Sequence, residues 1–355
     1  MPCPTKLLFV GHGLYLMVTK RLSPLAHTAY QDLLRNLKEQ EVSDFKGTPV
    51  KKTRGKLSFW YDTYRVGHAV KTKYIGPDTE ELRERIQRFT NIKLDQEARQ
   101  RERRRLIRIL RVENLLGVDS GTGSLLSALA ASGTFRLGGT IIGTHAFRLY
   151  EGELGIQMSF DQLAITNDIA IAVFERHSLA LEDTASPLLN DVLSHMNFKA
   201  IPSLKQDHNW RWQQHGEETL VEFLTPSFSE AEDIRILPSL GIYAQSLHHL
   251  KYLIEDPIAA ALTYRSGILV HIPRPERFAI HKLMITDRRL NGPSTGKSQK
   301  DLMQAHLLIK ILAEDRPDEL LDAYKTALNS GPQWKARIEA NLKKHTDIAA
   351  ILNSL

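Results

Sequence analysis

The sequence predicts an α+β fold, on three observations. Short segments in which apolar and polar residues alternate, the pattern of half-buried strands, recur between Leu57 and Phe223. Segments with helical spacing separate them. From Ser227 onward helical spacing dominates, with one strand pair. This order divides the 355 residues into an N-terminal region of helix, basic β-hairpin and long basic helix (1–116), a mixed-sheet core (117–228) and a mainly helical C-terminal domain (229–355). A hydrophobic content of 42% and a charged content of 25% are those of an ordinary soluble protein. No apolar run approaches the length of a membrane span. One cysteine, Cys3, excludes an internal disulfide and a Cys-based zinc site, and points to a reducing cytoplasm.

The chain is basic, with a net charge of +6, and the charge is concentrated. Ser23-Pro24 starts a helix to about Gln40, with Leu25, Tyr30, Leu33, Leu34 and Leu37 on one face. A lysine-rich segment, Lys46 to Lys56, follows. Leu57 to Ile75 reads as a β-hairpin turning at Arg65-Val66-Gly67-His68, with Lys71 and Lys73 on its second strand. Aromatic residues interleaved with cations suit a surface that stacks bases and contacts phosphate. The plain alternative is a small sheet packed by its aromatics, with lysines in solvent. Asp78 then caps a long helix, with Glu81 at the capping-box position. Six arginines fall between Arg101 and Arg111, among them Arg104, Arg105 and Arg108, and Glu102 is the one acid there. A solvated face mixes signs more evenly, so this segment is a candidate for a nucleic-acid backbone, with a solvated or intramolecular role as the alternative.

Gly121-Thr122-Gly123-Ser124 lacks the lysine of a P-loop and is read as the start of a helix. The central stretch runs from Gly138 to Phe174. It reads as a strand, a glycine turn at Gly143-Thr144, a helix through Tyr150 and Leu154, and an apolar strand carrying one acid, Asp168. A helix start with small residues admits phosphate, and a strand acid can hold the metal a triphosphate carries; the plain alternative is a common glycine turn before a helix and an acid at the end of a strand. His145 beside the turn either orients a phosphate or is a buried structural residue. Ser186-Pro187 caps a helix to Met196. Trp210-Arg211-Trp212 and Leu220-Val221-Glu222-Phe223 read as paired strands around Gly216. Glu222 has apolar neighbours, and is unfavourable there unless a cation faces it or its side chain points outward. Ile268 to Ile272 is a strand, and Pro275 to Arg289 a helix bearing Lys282. Lys297, Lys300 and Asp301 open the next helix; these two helices either line a nucleotide site or are a surface pair with ordinary charges, and Pro317–Ser330 and Gln333–Leu352 close the chain as structural helices.

Several of these motifs together carry a resemblance. They are Gly143-Thr144-His145-Ala146-Phe147, Thr166-Asn167-Asp168-Ile169, Leu220 to Pro226, Ile272 to Leu283, and Lys300-Asp301. Over most of its length the chain resembles a bacterial family of nucleotidyltransferase-fold proteins in the superfamily of DNA polymerase beta. That superfamily pairs a glycine turn with an Asp-x-Asp strand and a third acid on a later strand. The resemblance implies a nucleotidyltransferase-fold mixed sheet and transfer of an NMP from an NTP. By it, Asp168 and Glu222 are metal ligands for two Mg²⁺ ions, and Gly143 and Thr144 lie under the triphosphate. A more distant similarity to AbiEii-type toxin nucleotidyltransferases implies that Lys282 touches the triphosphate while Lys300 and Asp301 line the site. The chain departs from the pattern at Ala170, where the second acid of Asp-x-Asp belongs. That departure implies lost or reduced transfer, as in a degenerate member or an inactivated variant. The implied acceptor is RNA, such as a tRNA 3′ end, held by Lys71, Lys73, Arg101, Arg104, Arg105 and Arg108. A protein or small-molecule acceptor, or a non-catalytic nucleic-acid-binding role, are the alternatives.

Overall fold

The computed structural model describes residues 8–10, 13–15, 19–39, 48–54, 57–66, 69–115, 117–158, 168–174, 184–203, 208–227, 232–290 and 295–355. Two short strands, β1 (Leu8–Val10) and β2 (Gly13–Tyr15), pair with each other, and β3 (Thr19–Arg21) pairs with a later strand. Helix α1 (Pro24–Lys38) begins where expected, with the Ser23 hydroxyl accepting from the Ala26 N–H at 3.1 Å. Its buried face is Ala26, Ala29, Tyr30, Leu33, Leu34 and Leu37, while Leu25 is exposed. Leu25 stands in the first turn, beside Pro24, and points away from the seam that the later leucines form.

The basic hairpin is present as β5 (Leu57–Val66) and β6 (Ala69–Pro77), and its turn at Gly67-His68 lies outside the described residues. The lysine-rich segment contributes a further strand, β4 (Thr48–Arg54), paired antiparallel to β5. The long helix α2 (Glu80–Val112) is capped by Thr79, whose hydroxyl accepts from the Leu82 N–H, and not by Asp78. Asp78 instead accepts from Trp60 Nε1 at 2.8 Å and pairs with Lys51 and Arg83. Those cations hold its carboxyl well below the usual range. A carboxylate with three tertiary partners is not free to cap.

Helix α3 (Ser120–Ser132) confirms the helical reading of Gly121 to Ser124. Gly123 is glycine for packing, since a Cβ there would meet the Tyr264 ring at 2.3 Å. Then come β7 (Gly139–Ile142), α4 (Gly143–Leu154), β8 (Ile156–Met158) and β9 (Asp168–Val173). Helix α5 (Leu189–His195) starts after Ser186-Pro187 rather than at it. Strands β10 (Phe198–Ala200), β11 (Arg211–Gln214) and β12 (Leu220–Pro226) follow, and Gly216 in the last turn has φ +80°. Two strands absent from the sequence reading, β13 (Ile234–Leu237) and β14 (Ile242–Leu247), complete a seven-stranded mixed sheet.

Strand β12 is the axis of that sheet. It runs parallel to β9 along one edge. Its other edge takes β11 antiparallel over its first half and β14 parallel over its second. β7 closes the far side of β9. After α6 (Leu250–Ile254) and the hairpin β15 (Ile258–Leu262) with β16 (Ile268–Ile272), helices α7 (Pro275–Leu290), α8 (Thr295–Asp315) and α9 (Pro317–Asn329) pack against the same core. The last expected helix is two, α10 (Pro332–Lys344) and α11 (Thr346–Asn353), broken at His345 with ψ 77°. One apolar core joins Leu125 in α3 to Leu352 in α11, through Phe147, Phe223 and Phe278. A second joins α1 to the end of α2.

Candidate active site

The register of three strands builds the site. Ala170 lies opposite Ile142 on β7 and opposite Glu222 on β12, and Asp168 lies opposite Leu220. Strand residues two apart share a face, so Asp168, Ala170 and Glu222 stand together on one side of the sheet. All three are half-buried, whereas Ile169, Ile171, Val221 and Phe223 fill the core behind them. The two acids expected from separate strands are therefore neighbours. Burial raises the Glu222 carboxyl above its ordinary range, and the nearby Asp168 charge adds to the rise.

Two cations oppose that effect. Arg211, opposite Glu222 in the β11–β12 hairpin, pairs with it at 2.9 Å and stacks on Trp210 at 4.1 Å. Lys297, in the first turn of α8, lies 3.6 Å from Asp168. Neither was singled out as a site residue in the sequence, though signals existed. The Gly216 turn sets a hairpin in which Arg211 meets Glu222. Lys297 shares a helix face with Lys300 and Asp301 at three- and four-residue spacing.

The sheet end leads into the glycine turn. Gly143 has φ +69°, and among the described residues nothing outside its own chain neighbours and helix backbone lies within 4 Å of where its Cβ would stand, which leaves room for a ligand's close approach there. Thr144 is half-buried beside it. His145 is buried, and neither ring nitrogen has a hydrogen-bond partner among the described residues. Burial, with Arg148, lowers it to about 4, so it is neutral. From the helical side, Lys282 and Asp301 form a buried ion pair, with the Lys282 ammonium 5.2 Å from the Phe278 ring. Lys300 is half-buried between groups; burial lowers its pKa, as do Lys282 and Lys297, against Asp301 and Asp168. Asp301 thus holds Lys282 rather than standing as an open carboxylate, because a buried ammonium needs a counter-charge.

Asp168 and Glu222 are hard oxygen ligands of the kind Mg²⁺ takes, and their mutual repulsion is what a cation relieves. The set stops there. Ala170 stands where the resemblance expects a further acid, and among the described residues no three His, Cys, Asp or Glu groups are placed to hold a metal ion. Two carboxylates, Asp168 and Glu222, are the acids this sheet face offers among the described residues.

A family model described as nucleotidyltransferase matches residues 120–329, more than half of the 355 residues. The chain belongs to that family. The matched region contains the glycine turn, the acid-bearing strands and the lysines of α7 and α8. A nucleotide substrate and general nucleotidyl transfer come with membership. Residues 27–84 match a second family model, a domain of unknown function, which covers most of α1, β4 to β6 and the start of α2. An antigenic nucleotidyltransferase-like protein from Paracoccidioides brasiliensis is a structural relative at 15% identity and TM-score 0.39, covering 67% of this chain and 94% of that one. No curated protein matches the chain.

The basic surface of the chain is divided. Arg101, Arg104, Arg105 and Arg108 are exposed on α2, and Arg105 pairs with Glu102. Arg103, from the same cluster, is buried and donates to Asn36 Oδ1 and the Ser266 carbonyl, so its role is structural. Lys71 and Lys73 are on β6, opposite Tyr64 and Asp62, and their side chains lie outside what is described. No helix among the described residues is long and apolar enough to cross a membrane.

Proposed function

We propose that this site transfers an NMP from an NTP to an RNA hydroxyl, and that Ala170 suppresses the transfer in the chain as written. The observation that carries this is the register that sets Asp168, Ala170 and Glu222 on one face beside the open Gly143-Thr144 turn. Lys300 and the Lys282–Asp301 pair border the triphosphate, and the free N–H groups of α4 receive a phosphate at Gly143 and Thr144. The acceptor oxygen attacks the α-phosphorus, the bond to the bridging oxygen breaks, and pyrophosphate leaves. Such transfer depends on positioning and charge neutralisation more than on covalent chemistry, which suits carboxylates, amides and lysines. Asp168 and Glu222 would hold Mg²⁺, which supplies charge neutralisation and activation of the acceptor hydroxyl. The basic face of α2 makes RNA the favoured acceptor over protein or a small molecule.

A second reading is a nucleotide- and nucleic-acid-binding protein without transfer. Ala170 favours it, as does the pairing of both acids with Arg211 and Lys297. One experiment separates the two. Each of the four α-labelled NTPs is supplied with Mg²⁺ to total RNA and total protein, with the chain as written beside Ala170→Asp. RNA labelling at least about a hundredfold higher with Ala170→Asp supports suppressed transfer, the scale expected of lost charge stabilisation. No label with either chain supports the binding protein.

A further inference from the structure

We infer that His145 is a nucleotide-contacting residue, whose ring N–H donates to a phosphate oxygen held at the Gly143-Thr144 turn. This rests on the nucleotide-site reading above and adds a residue to it. A helix start alone is no binding site; the orphaned imidazole is the second observation. His145 is 4% exposed, on the first turn of α4, and neither Nδ1 nor Nε2 has a partner among the described residues. A neutral imidazole carries one donor and one acceptor, and burying both unpaired is costly. The groups around it are committed elsewhere. Arg148 donates to the Gly117 carbonyl, and Asp119 accepts from the Thr122 N–H as the cap of α3. Of the charges around it, Arg148 and Asp119 act on the ring most strongly, with Lys300 of α8 and Asp168 of β9 after them, and the ring sits two residues after Gly143 in the first turn of α4. Burial keeps the ring neutral, so it can donate without adding a fixed charge to a site already holding several cations.

A core residue and a ligand contact respond oppositely to substitution. Replacing an orphaned ring with an apolar side chain of similar size removes an unsatisfied donor and acceptor, so it stabilises the fold. It also deletes the donor, so it weakens nucleotide binding. The test is calorimetric titration of the full chain with each NTP and Mg²⁺, paired with thermal melts, for the parent, His145→Leu and His145→Gln. We expect His145→Leu to melt at or above the parent and to bind about tenfold more weakly, the loss of one good hydrogen bond. His145→Gln, which keeps an N–H, should bind within about threefold of the parent. Unchanged affinity in His145→Leu beside a binding parent overturns the inference and leaves the nucleotide site standing. A parent that binds none of the four nucleotides overturns the nucleotide site, and this inference with it. If His145→Leu fails to fold, the ¹⁵N imidazole signal of His145 in the parent decides. A shift on adding NTP supports the contact, and its absence overturns it.

Discussion

Glu222 stands directly across the parallel β9–β12 ladder from Ala170, with Asp168 two residues away on the same face. A third carboxylate at position 170 would enter a half-buried patch where Asp168 already raises Glu222. Like charges facing each other across strands destabilise by up to about 1 kcal/mol. Ala170→Asp should therefore melt below the parent in EDTA. With Mg²⁺ it should rise above it, since a ligand bound by the folded state alone adds about 2.7 kcal/mol at a hundred times its Kd. Differential scanning fluorimetry with and without Mg²⁺ checks this; equal Mg²⁺ shifts in both chains would count against position 170 as a ligand, and no shift in either would count against a metal role for this face.

Lys282 and Asp301 are the most deeply buried ion pair at the site, at 7% and 3% exposure. Removing one partner strands a charge away from water and costs about 3–5 kcal/mol. Asp301→Ala should show that loss in urea denaturation. The double variant Lys282→Met, Asp301→Leu should recover much of it, because the cost lies in the unpaired charge. A double variant no better than the single would show that the pair organises packing beyond its own charges.

Much of the site was legible residue by residue, and its convergence was not. The glycine turn, the Asp168 strand and the β11–β12 hairpin each follow from local pattern. That Glu222 meets position 170 depends on a parallel pairing across some fifty residues, which no local spacing encodes. Arg211 was within reach, because a hairpin fixes its own register. Strand β4 was missed because lysines on an edge strand mimic a solvated loop. Asp78 looked like a cap because the local rule cannot see Trp60, Lys51 and Arg83 competing for its oxygens.

Glu151 gives a pH signature separate from the site. It is buried, its Oε1 accepts from the Met158 N–H at 2.6 Å, and burial lifts it from 4.5 to about 7. The folded state then binds its proton more tightly than the unfolded chain does. Its contribution to stability is therefore full below pH 4.5 and is lost as pH rises through 7. Glu151→Gln keeps the carbonyl acceptor and does not titrate. At pH 8 it should be more stable than the parent, by at most about 3 kcal/mol. The difference should vanish near pH 4.5, and a difference independent of pH would point to packing instead.

The arginines of α2 divide by helix phase, and the division makes the RNA reading testable. Arg101, Arg104 and Arg108 recur at three and four residues, fall on one exposed face, and have no partner among the described residues. Arg103 faces the other way, into Asn36 and Ser266. If the exposed face meets an RNA backbone, each arginine releases counterions from one phosphate. Replacing all three with Ala should then flatten the dependence of log affinity on log salt by about 2 for single-stranded RNA, at about 0.7 per contact. The melting temperature should hardly move. Arg103→Ala should do the reverse, costing about 1–3 kcal/mol of stability through its stranded partners and leaving the salt slope alone. Affinity that ignores the three exposed arginines would move the acceptor away from α2, and with it the case for RNA, because that case rests on the charge of this face.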